Sequence, residues 1–351
     1  MVRPACAAQN HLVGYQPLPL DLVATLPELP FPIYLQREGR MVLYAMPGAD
    51  PRAILAQARA GLEVHIPTND PGALRHLLLA MFARALESRS ESMADRGRRS
   101  VALAVALLEP LFGPERRIEP EALVTGQAAV DLLSRALAVD PALARAIIGG
   151  HGSSGGPGRT SSEAPRFARR ALDGLACAIA LATTLDPAGF GAEGAGLLDL
   201  GRGVAFRDLG LPRLGSVTAG RRTRAGPGAS AVHRHPVLGV ELLAAALGST
   251  PRWAALVAGH HERLDGSGYP DGRRGHELSR PVRIAGLADT FASLIAPEAW
   301  GGVRTAGEAI GVLRYGAHGR FGDDLVGALV EVLESGLLLP LRRAGMVDTT
   351  H

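Results

Sequence analysis

Lysine is missing from this chain: all 37 basic residues are arginine. No site in it can use an ammonium group, so every fixed cation is a planar guanidinium. The abundance of Ala and Gly beside Arg points to GC-rich codon usage as the origin of the bias. Cysteine is nearly absent as well. Cys6 and Cys177 make no disulfide framework and read as a tail thiol and a small buried apolar residue. No apolar run reaches the roughly 18 to 20 residues of a membrane helix, the most hydrophobic piece being Leu175 to Ala182. The N-terminus is broken by prolines and has no signal-peptide core. These two features predict no membrane segment and a cytoplasmic location. A formal charge of +3, with basic residues spread among acidic ones, argues against nucleic acid as a partner.

What is present is enough chain for two domains and a sizeable core, with 351 residues of which 47% are apolar. Residues 1–29 are Pro-rich and aperiodic, and read as an extended lead-in. Residues 30–70 read as a small α/β module: FPIYL and MVLYA flank a polar turn containing Gly39, a helix is expected from Pro51 to Ala60 with Gly61 as its C-cap, and LEVHI forms a third strand. Residues 71–148 carry connecting helices, the first opening at Asn69-Asp70-Pro71. The charged run from Glu87 to Arg99 is expected on a solvated helix face. GGHGSSGGPGRTSS, residues 149–162, is the clearest linker, and residues 163–340 return to a helical pattern.

The densest chemistry lies in HHERLDGSGYPDG, residues 260–272. Neutral imidazole is the commonest protein metal ligand, and adjacent residues on a helix point about 100° apart, so at most one of His260 and His261 can face a core without a polar partner or a metal. The loop after them alternates Gly266, Gly268 and Gly272 with Asp265, Ser267, Tyr269, Pro270 and Asp271. Its glycines allow positive φ and close backbone approach.

This string resembles the signature of the HD-GYP family, bacterial metal-dependent phosphodiesterases that act on cyclic di-GMP. Three further stretches carry the resemblance. HPVLGVELL places His235 in the family's HPxxGxxxL segment, RIAGLADTFASL places Asp289 at the last metal-ligand position, and FGDDLVGAL resembles the closing helix. FxxYLxxxGxxVLY in the N-terminal module is similar to the α/β domain that often precedes HD-GYP domains. The resemblance spans about residues 160–335 and implies an all-α HD-GYP helical bundle preceded by the small α/β N-terminal module.

Three departures bear on activity. The family's dyad, HDxGKxGxP, is matched by Phe206-Arg207-Asp208-Leu209-Gly210-Leu211-Pro212, where Arg207 stands in place of His and the Lys-containing tripeptide is missing. A guanidinium has no lone pair, so Arg207 cannot ligate a metal; it is expected as a fixed charge paired with Asp208, as a phosphate contact, or as a partly exposed side chain. The family's upstream His has no counterpart, because no His lies between His151 and His233. After Phe291 the family continues with Asp and Thr, where this chain has Ala292 and Ser293. His233, two residues before His235, is expected to face solvent.

By resemblance, one metal position keeps only Asp208 and Asp289, whereas the other keeps Asp208, His235, His260 and His261. One divalent transition metal, Fe or Mn, is expected, and a second is not. The expected catalytic group is Asp208. The loop residues Asp265, Gly266, Gly268, Tyr269 and Pro270 are expected to meet substrate or a protein partner. The resemblance thus implies a cyclic di-GMP-binding or partner-docking domain with weak or no turnover. A metal-dependent phosphodiesterase releasing pGpG or GMP, and hydrolysis of another phosphate ester, remain as alternatives, and a homo-oligomer stays open.

Overall fold

The computed structural model describes residues 14–18, 29, 32–37, 40–50, 64–68, 71–149, 163–191, 194–217, 232–296, 306–316 and 319–335. The chain divides into two compact units, Met1–Leu78 and Leu79–His351. The first holds a four-stranded antiparallel sheet of β1 (Gly14–Leu18), β2 (Ile33–Arg37), β3 (Arg40–Ala45) and β4 (Val64–Thr68), in the order β1-β4-β2-β3. The predicted hairpin is present as β2 and β3, and burial alternates along β2, where Ile33 and Leu35 are buried, as are Val64 and Ile66 on the paired strand β4. The expected lead-in contains a strand, β1, that sequence reading missed. Pro17 sits there on an edge strand, where the missing N–H is tolerated. The helix expected from Pro51 to Ala60 lies outside the described residues.

The second unit is helical. α1 (Pro71–Glu87) crosses the boundary between the units and is followed by α2 (Met93–Leu108), α3 (Pro120–Val139) and α4 (Pro141–Gly149). After the Gly/Ser-rich stretch come α5 (Ala164–Leu185), the short α6 (Pro187–Phe190), α7 (Ala195–Ala205), α8 (His235–Leu247), α9 (Ala254–Gly259), α10 (Arg280–Ile295), α11 (Ala306–Gly316) and α12 (Asp323–Glu334). Ser92 caps α2 by accepting the Asp95 N–H, which places the helix start inside the charged run.

The centre of this unit is α5. Every residue from Ala171 to Ala182 is buried, and α2, α3, α4, α7, α10 and α12 all pack against it. Small side chains at Ala168, Ala171, Gly174, Ala176, Ala178 and Ala182 let these neighbours approach closely. The helices before the Gly/Ser stretch therefore share one core with those after it. Among the described residues α3 is long and apolar enough to cross a bilayer, where the sequence predicts no membrane segment; half of its apolar window is buried inside the protein.

Candidate metal centre

α7 delivers the first functional residues by ending at the right place. Phe206 and Leu209 are fully buried, with the Phe206 ring 5.6 Å from Trp253, so the turn between them is pinned from both sides. Arg207 and Asp208, between these anchors, are driven inward despite their charge. Gly210 lets the turn close on α8, because a Cβ there would collide with the carbonyl oxygen of His235. Gly210→Ala is therefore expected to cost about 1–3 kcal/mol, read as a lower urea midpoint.

Three imidazoles meet opposite Asp208. His235 opens α8, and His260 and His261 follow the last turn of α9; one ring nitrogen from each lies within 4.8 Å of the others. His235 Nδ1 donates to the Val232 carbonyl at 2.6 Å and His260 Nδ1 to that of Val257 at 2.8 Å. Since a carbonyl can only accept, these bonds fix the tautomers and turn both Nε2 lone pairs into the cluster. The two Nε2 atoms are 3.2 Å apart. Two nitrogens bound at roughly 2.0–2.1 Å to a tetrahedral metal lie about 3.3 Å apart, so this spacing suits a shared ion. Burial, reinforced by His235, pushes His260 down to about 3. Burial and His260 hold His261 well below its ordinary value. These two imidazoles are therefore neutral at physiological pH, the form that can donate a lone pair to a metal.

Asp208 Oδ1 lies 3.5 Å from His235 Nε2 and 4.0 Å from His260 Nε2. Both Asp208 Oδ1 and His261 Nε2 are buried with no hydrogen-bond partner among the described residues. A buried carboxylate oxygen and an imidazole nitrogen left in this state, beside two inward lone pairs, form the donor set of a first-row divalent cation. These residues fit one such ion.

The other carboxylate has different company. Asp289, on α10, accepts at Oδ1 from Arg170 Nη2 at 2.7 Å and from Arg207 Nε at 2.9 Å. Both guanidinium groups also lie 3.7 Å from Asp208 Oδ2. Burial raises the pKa of Asp208, but Arg170 and Arg207 outweigh it and hold the group down at about 2. Asp289 is likewise held well below the usual carboxylate range, burial again being overcome by the same two arginines.

The GYP loop folds back on this centre. Glu262, buried beside the histidines, accepts the Asp271 N–H at 2.7 Å and the Arg273 N–H at 3.0 Å, tying the far side of the loop to the chain that carries His260 and His261. Tyr269 stacks on His261 with centroids 4.4 Å apart and on His233 at 3.9 Å. Asp265 closes a turn by accepting both the N–H and the hydroxyl of Ser267, and Pro270 is exposed beside it.

Of the residues expected from sequence, Asp208, His235, His260 and His261 come together, and Asp289 lies beyond them among the arginines. Arg207 is not placed as a phosphate contact. It is 0% exposed, and its nitrogens donate to Asp289, to the Val204 carbonyl at 2.6 Å and to the Arg170 carbonyl at 3.3 Å, so no donor faces outward. His233 is exposed as expected, but its ring lies on Tyr269. Sequence reading missed Arg170, one of two consecutive arginines on α5, and the loop-holding part of Glu262. For Glu262 the HHE string was a signal; for Arg170 the local pattern offered none.

The HD domain family model matches residues 207–325, the stretch that runs from the buried Arg-Asp turn through the His cluster to α12. The comparisons with whole proteins point to proteins of the HD-GYP kind as what this chain is similar to. It is 35% identical over 128 residues to the cyclic di-GMP phosphodiesterase response regulator RpfG of Xanthomonas campestris pv. campestris, a match covering 36% of this chain and 32% of that protein. It is 41% identical over 56 residues to the 3'3'-cGAMP-specific phosphodiesterase 1 of Vibrio cholerae, covering 16% of this chain and 13% of the relative. The matches thus span about a third or less of these relatives' lengths. In fold the chain resembles Bd1817, a HDG"Y"P protein from Bdellovibrio bacteriovorus, with a TM-score of 0.67 at 16% identity over 92% of this chain and 100% of that one.

Proposed function

We propose that this protein binds a cyclic dinucleotide, cyclic di-GMP first among them, at a centre holding one Fe or Mn ion, and that it signals by binding with weak or no turnover. The observation that carries this reading is the division of the two buried carboxylates: Asp208 faces three imidazoles, and Asp289 faces two guanidinium groups. His235, His260, His261 and Asp208 would hold the ion. A divalent ion held there would lower the pKa of a bound water and polarise a phosphoryl oxygen. Hydrolysis of a phosphodiester is fastest when a pair of metals clamps both the attacking and the leaving oxygen, and this donor set provides for one. The exposed edge of the GYP loop, Asp265, Ser267 and Pro270, is the surface a protein partner would meet. The names of the relatives, acting on cyclic di-GMP or on 3'3'-cGAMP, support the ligand class.

The test is calorimetry with cyclic di-GMP in the presence of Mn²⁺, run beside chromatography for pGpG and GMP. Saturable heat without product is the expected result. Product that disappears in a His235→Ala variant would establish the second reading, a phosphodiesterase with an incomplete centre. No heat and no product would leave only the docking role.

A further inference from the structure

Asp289 is engaged before any ion arrives. Its Oδ1 takes one hydrogen bond from α5, through Arg170, and one from the turn after α7, through Arg207. Neither cation is free to leave. Arg207 is fully buried and bonded through all three nitrogens, and α5 leaves room for it: a Cβ at Gly174, one turn beyond Arg170, would come within 2.8 Å of Arg207 Nη1. Arg170 has a second anchor, donating at 2.9 Å to Ser293 Oγ one turn along α10 from Asp289. Gly174 and Ser293 are thus fitted to the arginines on the two helices that flank them.

The charges close without metal. Two carboxylates oppose two guanidinium groups, and a guanidinium is protonated at every relevant pH. Burial opposes the charge on Arg170, but Asp208 and Asp289 outweigh it and raise its pKa further.

We infer that Arg170 and Arg207 together act as a permanent, non-exchangeable substitute for a second metal ion on the Asp208–Asp289 pair, and that either arginine alone keeps such an ion out. The centre is therefore mononuclear by construction, with Asp289 the counter-anion of the arginines and not a ligand. This rests on the metal position proposed above. It adds that changing Arg207 alone to a ligating residue restores nothing, because Arg170 still holds Asp289.

The test is equilibrium binding of Mn²⁺ to the full chain, read by elemental analysis and by the electron paramagnetic resonance line shape, which separates isolated from coupled ions. Wild type, Arg170→His and Arg207→His are expected to bind one equivalent, and the double Arg170→His/Arg207→His variant two. Two equivalents in wild type or in either single variant would overturn the inference while leaving the metal reading intact. One equivalent in a folded double variant would also overturn it. No Mn²⁺ in any of the four would overturn both.

Should the double variant fail to give a folded circular dichroism spectrum, Asp289→Asn decides. Its amide oxygen can still accept from both arginines, so one equivalent with a Kd within about threefold of wild type is expected, whereas loss of a ligand would weaken binding at least ~10-fold.

Discussion

His235→Ala is expected to abolish stable metal binding, taking Mn²⁺ content from one equivalent to less than about a tenth at micromolar ion, with any hydrolysis lost in step. The size of the effect follows from geometry. His235 contributes one of two Nε2 atoms 3.2 Å apart, and its own lies 3.5 Å from Asp208, so its loss removes the residue that joins the other imidazole to the carboxylate. Loss of even a residue that only orients a ligand costs about 10–100-fold in metal affinity, and a ligand costs more. His233→Ala is the matched control: it removes the ring stacked on the outer face of Tyr269, without touching the ligand set, and should leave metal content at one equivalent. Equal metal loss in both variants would count against the assignment of His235.

Arg207→Met is expected to be the most destabilising single change at the centre, at about 3–5 kcal/mol, the usual cost of removing one partner from a buried ion pair. The methionine fills most of the volume, so the loss is electrostatic. Asp289 keeps Arg170 but loses the bond from Nε, and the Val204 and Arg170 carbonyls lose their donors. Urea unfolding monitored by circular dichroism measures it. A change below about 1 kcal/mol would show that Arg207 contributes no more than an exposed pair does.

The parts of this fold legible in the sequence are those set by local periodicity. The β2–β3 hairpin follows from two short apolar runs flanking a polar turn that contains Gly39, and the α1 and α3 starts follow from Pro71 and Pro120 at first-turn positions. β1 was hidden because its five residues include a proline and make sense only beside β4. At the centre, residue type singled out His260 and His261, and the family resemblance added Asp208 and His235. Side-chain direction was not legible: nothing in FARRAL says which arginine turns toward a carboxylate 119 positions away. The same gap explains Arg207, whose burial depends on Phe206, Leu209 and the missing side chain at Gly174.

Helices α5 and α10 are joined through Arg170, Asp289 and Ser293, by carbon-bound nitrogen and oxygen alone. No chelator can extract that junction, no oxidant can change its valence, and a cell starved of iron still makes it.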